Sequence, residues 1–259
     1  APPAALDSSS TPARIVLRRE SLARWCWEKF EAFSLRRTPG SPFHAVVQAH
    51  ALDEGFDAAL PRWLDELSEA VILHELGEHR AGQRLGTRWA EMRLALPSRR
   101  ADLYARALRD HLADLAVTLP ALLERGAAAS IHFWFASFDG VRELLFPSLK
   151  HAYLAWQQGD GGDALRQAIG QGEAHFAALA EQVMDLHRLD GVRAGPAIET
   201  LLTAPQAVCG AWSRRWVVTA MLAACRPALI GVAGVRRNTA PDSRAAGPAP
   251  TAPWRGSTM

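Results

Sequence analysis

The sequence has few cysteines, with only Cys26, Cys209 and Cys225 in 259 residues. They are far apart, odd in number and form no CxxC pair, so a disulfide framework is not expected. They are typical of small buried side chains in a reducing compartment. No secretory signal precedes the first predicted helix, and we therefore expect a cytoplasmic protein.

Long apolar runs are also missing. The most apolar stretch, residues 216–235, is interrupted near its centre by Arg226 and Pro227. A membrane-spanning helix needs about 20 uninterrupted apolar residues. A membrane protein is therefore not expected.

A basic stripe for nucleic acid is absent as well. The formal net charge of +2 is unevenly distributed. Residues 213–259 contain seven Arg and one acidic residue, Asp242, and so carry a charge of +6, which leaves −4 for the rest of the chain. No Lys/Arg run is interleaved with aromatic residues in the mildly acidic body. We expect no nucleic-acid partner and favour a small-molecule substrate.

β-branched runs are scarce, and apolar residues recur at spacings of three and four. This pattern predicts an all-α protein, a bundle of about five to seven helices spanning residues 14–212. Residues 1–13 are rich in Ala, Pro and Ser, and residues 213–259 in Pro, Ala, Arg and Gly. Both ends are predicted to be disordered.

Breaks in the pattern divide the body into segments. Gly77 or Gly86 is a possible break in a long helix, Pro120 bends or ends another, and Asp139-Gly140 can split an aromatic stretch. Ser41 is a candidate N-cap, with Pro42 at the first helical position. The predicted helical segments are 14–36, 42–50, 60–94, 99–125, 130–157 and 163–188.

The most informative run is Val71–His79, in which ionisable side chains interrupt a helix that otherwise has a buried face. The apolar positions Leu67 and Val71 continue at helical spacing into His74 and Glu78. Both polar side chains should therefore point inward. Burying them without partners costs several kcal/mol, roughly, so other residues or a cation must satisfy them.

Two other predicted helices offer similar pairs. His50 and Glu54 are four residues apart, and His111 lies on an apolar stripe with Asp110 and Asp114 beside it. Imidazole and carboxylate groups from several helices can hold a divalent metal such as Zn, Mn, Fe or Mg. The sequence thus predicts a metal site inside the helical domain.

Glu75 lies about 100° around the helix from His74. It is either a partner that orients the ligands, a further metal ligand, or a catalytic base acting on water. We select it as the candidate catalytic residue.

The run His74-Glu75-Leu76-Gly77-Glu78 resembles the HExxH helix of zincin metalloproteases, with Glu78 in the place of the second zinc-binding His. It also resembles the His-Asp motif of HD-domain metal-dependent phosphohydrolases, with Glu75 in the place of Asp. There the segments around His44 and Asp110 match the upstream His helix and the distal Asp helix. This resemblance implies a helical phosphohydrolase with His44, His74 and Asp110 as metal ligands.

Most of the body, residues 20–200, also resembles an uncharacterised family of bacterial helical proteins, which implies a natural domain but no activity. The leading hypothesis is a metal-dependent hydrolase acting on a phosphoester. One alternative is a dimetal-carboxylate bundle with redox or oxygen chemistry. Another is a non-catalytic helical interaction protein. The dimetal site would use His50, Glu54, His74, Glu78, His111 and Asp114.

Overall fold

Helices account for most of the described chain, which confirms the all-α prediction. The computed structural model describes residues 4–7 and 14–210. Its helices are α1 (Arg19–Leu35), α2 (Pro42–His50), α3 (Phe56–Leu94), α4 (Arg99–Ala113), α5 (Leu119–Glu124), α6 (Ala128–Ala136), α7 (Gly140–Leu145), α8 (Pro147–Gln157), α9 (Asp163–Asp190) and α10 (Gly195–Thr203). A π-helical turn, Asp114–Thr118, joins α4 to α5, and 3₁₀ turns occupy Gly191–Ala194 and Pro205–Ala207.

The described range holds more helical segments than the five to seven predicted. The aromatic stretch 130–157 divides at Asp139-Gly140, as expected, and again at Phe146-Pro147. A further short helix, α10, follows α9. The additional helices are short because proline or glycine interrupts the helical backbone within a few residues.

The N-terminal region differs from the prediction. Strand β1 (Ala4–Asp7) pairs antiparallel with β2 (Arg14–Leu17), so a hairpin stands where disorder and the start of a helix were expected. Ile15 and Val16 are β-branched, which favours an extended backbone and delays α1 to Arg19. The predicted disorder of residues 213–259 concerns residues outside the described range.

Local signals placed several boundaries correctly. The Ser41 side chain accepts a hydrogen bond from the His44 backbone N–H, as an N-cap does. Within α3, Gly86 has φ +64° and interrupts the helical backbone. At Gly77 the helix continues without a break.

Helix α4 lies at the centre of the packing and contacts α3, α7, α9 and α10. Its buried face combines alanines with Leu108, His111 and Leu112. The small alanines let neighbouring helices come close on several sides. This central position determines where the polar residues of α4 can meet those of α3.

The described cysteines, Cys26 and Cys209, are free and buried, as expected for small core side chains. None of the helices within residues 14–210 is long and apolar enough to cross a membrane. The apolar stretch 216–235 is not among the described residues.

Candidate functional site

The candidate site forms at a close contact between α3 and α4. Gly77 makes this approach possible, because a Cβ there would lie 2.5 Å from the Ala113 carbonyl oxygen. Contacts that short do not occur, so any larger residue would push the helices apart. Gly77 is flanked by His74 and Glu78, and Ala113 by Asp114. The glycine therefore brings these polar residues together.

His74 is held between two carboxylates. Its Nδ1 lies 2.8 Å from Asp114 Oδ1, and its Nε2 lies 3.5 Å from Glu78 Oε1. Since an ionised carboxylate can only accept a hydrogen bond, Nδ1 carries the hydrogen. A side-chain exposure of 31% leaves His74 open to solvent on one side. Asp114 thus fixes the orientation of the ring, with Nε2 directed toward Glu78.

Glu78 has a second cationic partner in Arg109 of α4. Arg109 Nη2 lies 3.1 Å from Glu78 Oε2 and 3.4 Å from the Glu78 backbone oxygen. Both side chains are about 30% exposed. This pair therefore lies at the solvent edge of the site.

Asp114 has a second cationic partner in Arg142 of α7. Arg142 Nη1 lies 3.2 Å from Asp114 Oδ2, and the same guanidinium lies over the rings of Trp134 and Phe138. Asp114 itself is 1% exposed. The aromatic rings and the carboxylate together hold Arg142 in place.

The π-helical turn begins at Asp114. Pro120 has no N–H to donate to the carbonyl four residues earlier, and the Leu119 N–H instead bonds to the Asp114 oxygen five residues back. The chain widens into this π-helical turn and continues as a helix into α5, so the predicted end of the helix at Pro120 is wrong. Such turns occur frequently at functional sites.

The partners control the ionisation of the site. Burial alone would lower the pKa of His74, but the charge and hydrogen bond of Asp114, with help from Glu78, raise it to about 11. Burial would likewise raise the pKa of Asp114, yet the charges of His74 and Arg142 hold it below its ordinary value. Contact with His74 and the charge of Arg109 lower the pKa of Glu78. At neutral pH the site therefore contains alternating full charges.

Asp110 lies one helical turn before Asp114 on α4. Burial raises its pKa to about 6, even though the charges of His74 and Arg142 oppose the shift. The three carboxyl groups of this region therefore differ, because Asp110 titrates near neutral pH while Glu78 and Asp114 stay ionised.

Other predicted ligands lie elsewhere in the structure. His44 Nδ1 accepts from the Gly40 backbone N–H, and its ring stacks on Phe33. His50 is buried beside Glu66, with 3.6 Å between His50 Nε2 and Glu66 Oε2. Its predicted partner Glu54 is exposed, because α2 ends at His50 and Glu54 falls in the following turn.

His111 is buried but turned away from His74. Its Nε2–H donates to the Arg142 backbone oxygen over 3.0 Å, and its ring stacks on Phe176 at 4.3 Å between centroids. Burial lowers its pKa to about 4, so it is neutral at pH 7. Glu75 is partly buried on the neighbouring face of α3.

Sequence reasoning missed Arg109 and Arg142. Arg109 directly precedes Asp110, so its place on the helix carried a usable signal. Arg142 lies 28 residues from Asp114 in another helix. No local pattern could have joined that pair.

The donor set suits a metal only in part. Among residues 14–210 no group of three His, Cys, Asp or Glu side chains is arranged to hold a metal ion. Two ligand atoms of one ion at about 2.1 Å lie roughly 3.0–3.4 Å apart. His74 Nε2 and Glu78 Oε1, at 3.5 Å, are close to that separation. His74 can offer Nε2 to a metal only after losing the proton that its raised pKa keeps on the ring at neutral pH. The Asp114–His74 hydrogen bond is also of the kind that orients a metal-binding histidine.

No curated protein and no solved structure matches the chain. The resemblance to HD-domain phosphohydrolases has no support from these comparisons. Residues 23–205, which include every residue of the candidate site, match the family model described as "Family of unknown function (DUF6866) C-terminal domain". This match confirms the resemblance to an uncharacterised family, and the chain belongs to the DUF6866 C-terminal domain family.

Proposed function

We propose that the protein is a metal-dependent hydrolase that acts on a phosphoester at the His74–Glu78 edge of a helical bundle. One observation supports this above the others. Asp114 fixes the His74 ring through Nδ1 and directs Nε2 toward the Glu78 carboxylate, at 3.5 Å. Two metal ligands and a carboxylate that orients one of them would have this arrangement.

The small number of donors favours a metal that shares its coordination with the substrate. Mg²⁺ is commonly held by one or two carboxylates together with substrate phosphates, and Mn²⁺ accepts the same oxygen ligands. A catalytic zinc site usually has three protein ligands in addition to water, one more than this edge offers. We therefore favour Mn²⁺ or Mg²⁺ over Zn or Fe, and a phosphorylated small molecule over a nucleic acid.

Each residue then has a defined task. His74, after losing its Nε2 proton, and Glu78 would hold the metal, which would supply Lewis-acid polarisation of the phosphoryl group and activation of water. Asp114 and Arg142 fix the His74 ring. Glu75 is the proposed general base, and Asp110, with a pKa of about 6, can hold or release a proton near neutral pH.

Metal binding tests this proposal most directly. Protein purified without an affinity tag should contain, or take up, about one Mn²⁺ per chain, and should hydrolyse p-nitrophenyl phosphate or its diester in a metal-dependent way. His74→Asn should lose both properties. His187→Asn, a change in α9 away from the site, should keep both. Wild-type protein that binds no divalent metal would overturn the proposal.

A second candidate is a non-catalytic interaction protein in which this cluster is only structural. The observation in its favour is the charge balance, since Arg109 pairs with Glu78 and Arg142 with Asp114 around His74. Such a network is satisfied without a metal. In that case His74→Asn should reduce stability and change no ligand binding.

A further inference from the structure

One face of α7 and α8 exposes apolar side chains to solvent. Leu144 is 62% exposed and Leu154 is 46% exposed. Pro147 begins α8, and Leu154 follows it by about two helical turns, so both lie on the same side of that helix. Large apolar side chains that are exposed together mark interaction surfaces, whereas single scattered ones need no explanation.

A groove opens beside Leu144. It has a volume of about 560 Å³ and is lined by Leu144, Gly140, Glu143 and Pro147. A Cβ at Gly140 would meet no atom of the described residues within 4 Å, so the glycine leaves space at this end of the groove. A protruding leucine and a groove therefore lie next to each other on one face.

A charged pair lies beside the groove. Lys150 Nζ is 2.7 Å from Glu143 Oε1, and the two side chains are 49% and 37% exposed. Exposed ion pairs hold their partners weakly, so each charge can also face an opposite charge on another molecule. A face with both signs side by side is self-complementary, because a two-fold rotation places the acid of one copy opposite the base of the other.

We propose that this face is the interface of a symmetric homodimer, in which Leu144 of each copy enters the groove of the other. The same rotation brings Glu143 of each copy to Lys150 of the other. The apolar part is small, and small interfaces belong to weak complexes, so the dissociation constant should be on the order of 10 µM. This inference does not depend on the proposed function. Dimerisation would restrain α7, whose Arg142 binds Asp114 in the candidate site.

Sedimentation velocity of the full chain at increasing concentration tests for the dimer. Wild-type protein should pass from monomer to dimer near the expected dissociation constant. Leu144→Gln should weaken dimerisation by about tenfold or more, because it removes the apolar side chain that fills the groove of the partner. Leu94→Gln is the matched control, since Leu94 is 89% exposed on a different helix, α3. It should dimerise as wild type does, and circular dichroism establishes that both variants are folded.

Two charge reversals test the symmetry of the interface. Glu143→Lys and Lys150→Glu should each weaken self-association by about tenfold or more, because like charges then meet between the two copies. An equimolar mixture of the two variants should dimerise about as strongly as wild type, because each lysine then meets a glutamate of the other variant. A charge pair confined to one chain gives no such rescue, since mixing leaves the contacts within each chain unchanged.

The outcomes are decisive for this face. Loss of the dimer in Leu144→Gln together with rescue on mixing supports the proposal. Wild-type protein that stays monomeric up to about 1 mM overturns it and leaves the face to a partner of another kind. A dimer that Leu144→Gln leaves intact must use another face, which also overturns the proposal. Failure of the mixed variants to dimerise overturns the two-fold pairing of Glu143 with Lys150.

Discussion

Asp114 is the most constrained residue of the site, because its carboxylate is 1% exposed and lies between two cations. Removing one member of a buried charge network leaves the others unpaired, which costs about 3–5 kcal/mol. We therefore expect Asp114→Asn to lower the free energy of unfolding by about 3–5 kcal/mol at pH 7. Urea denaturation measures this directly.

Asp102 provides the comparison for that experiment. It also joins two cations, Arg93 and Arg106, but its side chain is 26% exposed. Ion pairs open to solvent contribute about 1 kcal/mol or less. Equal losses for Asp102→Asn and Asp114→Asn would show that burial does not set the strength of the Asp114 network.

Glu75 is the residue at which the competing functions differ most clearly. As a general base it would lose proton acceptance in Glu75→Gln with little change in packing, and turnover should fall by about 10²–10⁴ with metal content intact. Phosphatase assays and metal analysis of the same preparation test this. A parallel loss of metal and activity would identify Glu75 as a ligand instead. Unchanged turnover and metal content would remove it from the mechanism.

The core of the candidate site was predictable from periodicity. The apolar seam of α3 pointed to His74 and Glu78, while Asp114 was placed beside the apolar stripe that contains His111. In the structure His74 contacts both Glu78 and Asp114. His50 and Glu54 were paired only because they are four residues apart in the sequence. That spacing places two side chains on one face only within a continuous helix, and α2 ends between them at Ala51, whose backbone is left-handed. Arg142 was missed because the pattern of buried residues gives no information about a long, partly exposed side chain in a different helix.

At the level of helices, the close approach of α3 and α4 depends on Gly77. Alanine favours a helix over glycine by about 1 kcal/mol. At position 77, however, its Cβ would meet the Ala113 backbone, which cannot move aside as a flexible side chain can. We expect Gly77→Ala to destabilise the protein by about 1–3 kcal/mol, as overpacking does. Thermal or urea unfolding gives the value.

Gly170→Ala is the matched control, since Gly170 also lies inside a helix and no atom lies within 4 Å of its would-be Cβ. It should stabilise the protein by about 0.5–1 kcal/mol. If Gly77→Ala stabilised the protein equally, the two helices would not be in close contact at this position.

At the level of helices, the sequence predicted the positions of helix breaks more accurately than the effect of each break on the helix. Gly86 and Asp139-Gly140 were recognised, and the structure confirms both. Pro120 was recognised too, but whether the helix would bend or end depended on the packing around it. Gly77 was taken as a possible break because a sequence does not distinguish a glycine needed for backbone freedom from one needed for close packing.

For the molecule as a whole, stability at acid pH depends on buried groups with opposite effects. The raised pKa of Asp110 means that the folded protein holds a proton more strongly there, so its contribution to stability grows as the pH falls toward 4. Buried neutral histidines act in the other direction. Burial lowers the pKa of both His50 and His111, so acid favours the unfolded chain, in which they can be protonated.

His111 should dominate the histidine contribution, because it is 1% exposed and its pKa falls from 6.5 to about 4. Between these two values the unfolded chain binds more protons, so the stability that His111 contributes is complete above pH 6.5 and is lost as the pH falls to 4. The loss approaches about 3 kcal/mol.

His111→Gln cannot titrate but can still donate to the Arg142 backbone oxygen. We therefore expect this variant to be less stable than wild type at pH 7, and the difference to shrink steadily toward pH 4. Urea unfolding of both proteins across this range measures it, with Asp110 contributing equally to each. Stability curves that stay parallel from pH 7 to pH 4 would show that the folded protein does not lower the pKa of His111.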